Sequence, residues 1–483
     1  MRPRLGRLSQ TIPAVLALAL APTAMGDSFG LKVAASIHSA LKKSCASPEN
    51  VSVKALSMED GSVALDMNGD TPRIPASVQK LLVSSAALHY LGPAYRFKTR
   101  FYYTGRRNGS TILGDLYIKG GGDPGITPEK LWLITDTIRR MGVDKVEGSL
   151  VVDNSFFDGD KAPPSWDERR SQRAYDAGIG ALSVNFNTVA VRLFPGQALG
   201  EPLSVSLMPD PGYFRIVNKT MTAEKKERLA ARRSHTDDHW DMIVSGKMPL
   251  GADGATLYVN VEDTVAFSAL AFMEYLGKAG VIVEGGWHEG KTPENASPLH
   301  THYSEPLSLV VRDLNKYSNN FTAEQIAKTM AAEMDGAPGT YLSALDILSG
   351  FLIQNGVALD KISLADASGL SRKNRLTARA VTALLYSSGK RFDIGPDLVS
   401  ALGIMGVDGS LKDRGNGFPI EYAARAKTGT LTGVFSLAGY LESAQGKRFA
   451  FTIFINDGRC SYYSATHTLD QIVSLLRREL KRP

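Results

Sequence analysis

Two periodicities alternate along this chain, and their order predicts a mixed fold of helices and antiparallel strands. A helical apolar pattern covers about residues 29–43. Short β-type runs follow at Val51–Leu56 and Ser62–Met67, joined at Glu59-Asp60-Gly61; Asp-Gly between apolar runs marks a hairpin. Pro72 and Pro75 then favour extended chain, because the residue before a proline is pushed out of the helical region. The next helical pattern begins at Val78, continues through Leu81, Leu82 and Ala86, and stops at Gly92-Pro93. Near the other end, three β runs fall at about 423–432, 434–441 and 448–456, the last two separated by Ala444-Gln445-Gly446-Lys447. Phe449, Phe451 and Phe454 give the last run its β character. A closing helix carries Ile472, Val473, Leu475, Leu476 and Leu480. Two N-terminal and three C-terminal strands make a five-stranded antiparallel sheet covered by helices, an α+β layering.

The middle of the chain is too long to be a connection inside that unit. Short strand-like stretches at Phe97–Tyr103, Gly114–Lys119 and Val146–Val152 read as inserted β-rich material over 98–262, in one or two small domains. Gly120-Gly121-Gly122-Asp123-Pro124 there reads as a tight turn rather than a phosphate cradle. Lys219 to Arg233 reads as an exposed or mobile charged segment. From Ser304 the pattern is helix, loop, helix, with Thr322-x-x-Gln325 as a capping box. The division is a leader at 1–26, a core unit at 27–97 and 263–483, and the insertion at 98–262.

Composition narrows the class. Arg2, Arg4 and Arg7, an apolar run from Ile12 to Leu20, and the small-x-small site Ala24-Met25-Gly26 read as a secretory signal peptide, with an uncleaved anchor as the alternative. The formal charge of +6 falls to +3 once those three arginines leave, too little to argue for nucleic acid. Arg477, Arg478, Lys481 and Arg482 end the last helix, where they either complement its dipole or touch an anionic surface, at most a peripheral membrane contact. Cys45 and Cys460 are the only cysteines, so an exported chain can form one bridge.

Three motifs carry the chemistry: Ser77-Val78-Gln79-Lys80, Ser318-Asn319-Asn320 and Lys427-Thr428-Gly429. Singly, two of them are weak. Ser39-Ala40-Leu41-Lys42 and Ser387-Ser388-Gly389-Lys390 also fit Ser-x-x-Lys, and Ser183-Val184-Asn185 also fits Ser-x-Asn. Ser77 differs by context, at the start of a helix whose terminal amides favour a developing alkoxide, with Lys80 on the same face. A serine hydroxyl needs an adjacent base, and lysine serves only if burial or a second cation such as Lys427 lowers its pKa. Lys-Thr-Gly occurs once, in a predicted strand, where Gly429 leaves room for a close approach. The ordered set is the signature of penicillin-binding proteins and serine β-lactamases.

With these residues the chain resembles, over essentially its whole length after the leader, the serine D-Ala-D-Ala carboxypeptidase/endopeptidase family that contains the type-4 low-mass penicillin-binding proteins. Further matching stretches are Gly114-Asp115-Leu116, Gly120 to Pro124, Ala181 to Asn185, Asp366 to Arg372, and Gly439-Tyr440. The resemblance implies a penicillin-binding/β-lactamase-like transpeptidase fold with a helical subdomain and domains inserted after the nucleophile helix. It also implies a periplasmic enzyme without metal or cofactor, acting on peptidoglycan peptides and acylated by β-lactam antibiotics. By that resemblance Ser77 is the nucleophile, Lys80 its base and Ser318 a proton relay. Asn320 binds the substrate backbone, and Lys427 with Thr428 holds its carboxylate. The amides of Ser77 and Thr430 form an oxyanion hole, while Leu370, Arg372 and Leu431 meet the peptide's side-chain end. The fold so implied would also bring Cys45 and Cys460 together at one sheet edge. One departure stands out: a Trp-Pro-Trp-Asp-Asp stretch of relatives is here Pro164-Ser165-Trp166-Asp167-Glu168, followed by a charged insertion before Tyr175.

Rival classes have weaker support. His235-Thr236-Asp237-Asp238-His239 lacks the glutamate of a zinc-peptidase motif, and His300-Thr301-His302 is a weak pair. No Gly-x-Ser-x-Gly pentapeptide is found. A β-lactamase shares the three motifs, although the large insertion argues for a polymeric substrate. A silent wall-binding module would differ by not attaching penicillin covalently.

Overall fold

The structure is a computed structural model that describes residues 27–166, 171–236 and 239–480. The expected leader lies outside the described residues, as do Asp167, Glu168, Asp237, Asp238, Lys481 and Arg482. Among the described residues no helix is long and apolar enough to cross a membrane.

Six strands, rather than five, form the main antiparallel sheet, in the order Gly403–Ile404, Ala424–Leu431, Val434–Glu442, Arg448–Asn456, Val51–Ser57 and Val63–Met67. The extra strand is a two-residue edge segment paired with Ala426 and Arg425, too short to carry a sequence pattern. Both faces of the central strands are covered, which explains the nearly unbroken apolar run of Arg448–Asn456. Phe449, Phe451, Ile453 and Ile455 face a core shared with the terminal helices Asp27–Leu41 and Tyr462–Glu479. Ala450 and Phe454 face a second core, built from the helix Lys80–Tyr90 and five helices between Leu307 and Ala401. Cys45 and Cys460 are disulfide-bonded, with Cα atoms 5.1 Å apart across 415 positions.

The inserted layers have a third core of their own. They begin at Lys98–Tyr103, but pairing carries them past the expected end at 262. Trp287–Glu289 pairs with Leu150–Asp153, and Ser297–Tyr303 pairs antiparallel with Lys98–Tyr103. The first and last inserted strands are thus neighbours, and the chain leaves and re-enters the main unit at one place. Asp263, next to the expected boundary, is instead the N-cap of the helix Thr264–Lys278, which packs inside the insertion beside Pro128–Arg140. Lys219 to Arg233 is largely strand, within Phe214–Ala223 and Ala230–Thr236, which flank His239–Pro249. Lys219, Lys225, Lys226, Arg228 and Arg232 are exposed, Arg233 turns in to pair with Glu262 and Asn260, and Met242 and Val244 of the middle strand are buried. The run Gly120 to Gly122 is a packing contact as much as a turn: a Cβ on Gly120 would lie 2.3 Å from the Ala181 carbonyl carbon.

Candidate active site

The three motifs converge where the sheet, the helical layer and the insertion meet. Ala76–Gln79 is a single 3-10 turn leading into the helix Lys80–Tyr90, so Ser77 precedes the first α-helical residue. Ala76 has φ of 47°, a left-handed conformation costly for a residue with a Cβ. Two glycines let backbone press on this turn. A Cβ on Gly369 would sit 1.9 Å from the Ala76 carbonyl oxygen. On Gly429 it would lie 2.1 Å from Ser436 Oγ, 2.8 Å from the Pro75 carbonyl and 3.0 Å from the Ser77 nitrogen. Gly429 therefore accommodates the Ser77 turn itself, a closer demand than the ligand approach expected of it.

Lys80 is fully buried. Its amine lies 3.0 Å from Ser77 Oγ, and it donates to Asn320 Oδ1 and to the Ser368 carbonyl, each at 2.6 Å. Burial brings its pKa down to about 7, against the upward pull of Asp366 and Glu324. A neutral amine has two N–H groups and one lone pair; with the N–H groups taken by two carbonyl oxygens, the lone pair faces the serine. That is the arrangement a general base requires.

Ser318 ends the helix Leu307–Tyr317 in the left-handed region, at φ 59°. This projects its hydroxyl toward Lys427, whose buried amine donates to Ser318 Oγ and the Thr428 carbonyl, both at 2.8 Å. Burial, then the neighbouring Lys80, pushes the Lys427 pKa well down. The expected capping box at Thr322 does not form. Asn319 caps the helix Asn320–Met334 by accepting from the Thr322 amide at 3.1 Å, which turns Asn320 inward. Thr428 is half-buried, its hydroxyl 2.7 Å from Ser410 Oγ, and Thr430 is exposed on the same strand. Leu370 and Leu431 are partly exposed. Arg372 is exposed and donates to the Thr432 carbonyl at 3.0 Å, linking the Ser368–Leu370 loop to the end of the Lys-Thr-Gly strand.

Glu324, Asp366, Ser368 and Ser410 also belong here; Asp366 and Ser368 fall in the matching stretch Asp366 to Arg372 but motif reasoning gives them no role there, and it does not single out Glu324 or Ser410. Glu324 is fully buried and accepts from the Ala367 amide at 3.2 Å and the Ser368 amide at 2.8 Å. Burial, then Asp366, raises its pKa to about 8. Its signal was available, since Asn320, Glu324 and Lys328 recur every four residues in a helix whose surroundings are apolar. The look-alike motifs lie elsewhere: Ser39 is on the exposed side of the first helix, Ser387 bonds to Asn355, and Ser183 is buried in the insertion against Gly180. Among the described residues no cluster of three or more His, Cys, Asp or Glu could hold a metal. A separate cleft of about 700 Å³ opens by Met58, Lys390, Arg425 and Arg448, and no residue of the three motifs lines it.

A family model described as the D-Ala-D-Ala carboxypeptidase 3 (S13) family matches residues 33–479. A D-alanyl-D-alanine carboxypeptidase of Actinomadura sp. (strain R39) is 32% identical over 414 residues, which cover 82% of this chain and 76% of that protein. The D-alanyl-D-alanine carboxypeptidase DacB of Haemophilus influenzae is 25% identical over 450 residues, 91% of this chain and 92% of its own. The crystal structure of penicillin binding protein 4 (dacB) from Haemophilus influenzae superimposes with a TM-score of 0.78 at 25% identity, covering 92% of this chain and 98% of that one. The fold is therefore the penicillin-binding, β-lactamase-like one.

Proposed function

The chain belongs to the D-Ala-D-Ala carboxypeptidase 3 (S13) family, and from that premise we propose that Ser77 is the nucleophile of a serine DD-peptidase. The enzyme cleaves the D-Ala-D-Ala bond of peptidoglycan stem peptides and cross-links, and β-lactams acylate it. The observation that carries the assignment to Ser77 is the buried Lys80 amine 3.0 Å from its hydroxyl, with both N–H groups already engaged.

The chemistry follows from that geometry. Ser77 Oγ attacks the carbonyl of the penultimate D-alanine while its proton passes to Lys80. A C–O bond forms, the C–N bond breaks, and the leaving amine takes a proton delivered through Ser318. Water then hydrolyses the ester. Lys427 and Thr428 hold the substrate's terminal carboxylate, and the amides of Ser77 and Thr430 stabilise the oxyanion. Asn320 has one N–H left for a substrate carbonyl, since the other is used within the protein. The sequence of 1–26 supports export to the periplasm.

Intact-protein mass after brief exposure to penicillin should rise by the mass of one penicilloyl group. Ser77→Ala should abolish the increment, and Lys80→Ala should slow it by orders of magnitude while leaving the melting temperature near that of the parent. Labelling that persists in Ser77→Ala removes the assignment.

A further inference from the structure

The acceptors that aim the Lys80 lone pair are themselves held by the insertion. Asn320 Nδ2 donates to the Tyr175 carbonyl at 3.0 Å. A carbonyl can only accept, so this bond fixes which way the amide points and turns Oδ1 toward Lys80. The other acceptor, the Ser368 carbonyl, lies in the tight loop Asp366–Ser371. There Asp366 accepts from the Gly369 amide at 2.7 Å, the Ser371 amide at 2.6 Å and the Asn374 side chain at 2.8 Å. Its remaining strong contact comes from outside the loop: Trp166 of the insertion donates its indole N–H to Asp366 Oδ2 at 2.9 Å, in a buried position. Ser165, next to it, donates to the Ala365 carbonyl at 2.6 Å. From the opposite side, Glu324 anchors the Ala367 and Ser368 amides.

The contact is a packed interface. Phe157, Ile179 and Ala181 of the insertion form a small buried cluster with Phe321 and Tyr341 of the helical layer. Beside it Lys328, with its side chain wholly buried, pairs with Asp158 and donates to the Asp160 carbonyl at 3.0 Å. Rigid docking of this kind lets a hydrogen bond on one side of the interface orient a group on the other.

We infer that the insertion is part of the base, with Trp166 and the Tyr175 carbonyl acting as positioning groups that hold the two acceptors of the Lys80 N–H groups so that its lone pair faces Ser77. The inference deepens the assignment of Lys80 as base and rests on it. The charged or titratable groups around Lys80 are Lys427 on the strand, Glu324 on the helix Asn320–Met334 and Asp366 in the loop. Loss of the indole N–H leaves all three in place. It frees the loop that keeps water from the amine, so the pKa should move back toward that of a solvated lysine.

The test uses the full chain and two variants. Trp166→Phe keeps an aromatic ring and removes the N–H; Glu324→Gln keeps one acceptor for the loop amides. Penicillin acylation is followed by stopped flow at several concentrations between about pH 5 and 9, with melting temperature measured alongside. In each variant the acylation rate at saturating penicillin should fall about tenfold or more, with the apparent dissociation constant of the first complex little changed. In Trp166→Phe the acid limb of the pH profile should move upward by about one unit; in Glu324→Gln, which removes a carboxylate that pulls the Lys80 pKa up, it should not move upward. A brace with no positioning role would lower the melting temperature and leave the rate per labelled enzyme and the limb as in the parent; that result in Trp166→Phe overturns the inference. Failure of the base assignment looks different: the parent itself would show no limb near pH 7.

Discussion

At the residue scale the decisive quantity is the protonation state of Lys80. A base must be neutral to act, and burial brings this amine down to about 7. Below that pH the amine is protonated and its lone pair gone. Acylation at fixed, subsaturating penicillin should therefore fall about tenfold per unit of pH below 7 and level off above it. A rate that stays flat from about pH 5 to 8 contradicts the role. Arg372 poses a separate question, because its guanidinium already has a protein partner in the Thr432 carbonyl. If it also receives an acidic peptide side chain, such as diaminopimelate, Arg372→Ala should cost peptide turnover about 1.5–3 kcal/mol, the worth of a charge-assisted hydrogen bond. Penicillin lacks that group, and its acylation should be nearly unchanged. Equal losses toward peptide and penicillin would show that Arg372 only braces the loop.

At the scale of elements, the strand Ala424–Leu431 is fixed against the Ser77 turn by the absence of one side chain. A Cβ on Gly429 meets Ser436 Oγ, which also donates to the Pro75 carbonyl at 2.6 Å. Pro75 and Ser77 are backbone contacts with no flexible end to swing away. Gly429→Ala should lower stability by about 1–3 kcal/mol and reduce penicillin labelling far more than the stability loss explains. Chemical denaturation paired with labelling rates checks both; retention of parent labelling would show that the turn has slack. The helix Asn320–Met334 is the other element on which the site depends. It is buried almost all round, so its charged and amide groups need partners inside the protein: Asn320 pairs with Lys80 and Tyr175, Glu324 with the loop amides and Lys328 with Asp158, while Gln325 Oε1 and Thr329 Oγ1 have none among the described residues.

For the whole molecule, the disulfide ties the end of the first helix to the start of the last. It closes 415 positions of chain and so restricts the unfolded state strongly. Cys45→Ser with Cys460→Ser should lower unfolding free energy by about 2–5 kcal/mol, while acylation of the folded protein, whose site lies elsewhere, stays at the parent rate. Identical melting with and without reductant would remove the bridge from the stability account. The insertion returns to its point of departure through the pairing of Ser297–Tyr303 with Lys98–Tyr103. It can therefore act as one body on the site it touches.

What the sequence determined by itself was local and periodic. The Ser77 turn after Pro75, the three C-terminal strands and each of the three motifs depend on residues within a few positions of one another. Periodicity and turn chemistry report such things directly. Tertiary structure alone decided what joins distant positions. The edge strand Gly403–Ile404 exists only because Arg425 and Ala426 lie beside it, and the insertion ends at 303 because its last strand pairs with its first. The bonds from Trp166 to Asp366 and from Tyr175 to Asn320 span 200 and 145 positions, and no window of sequence contains both partners. The same reason explains Gly429: its neighbours on the Ser77 turn are more than 350 positions away, so the crowding that requires glycine appears only once the sheet has closed on the helix.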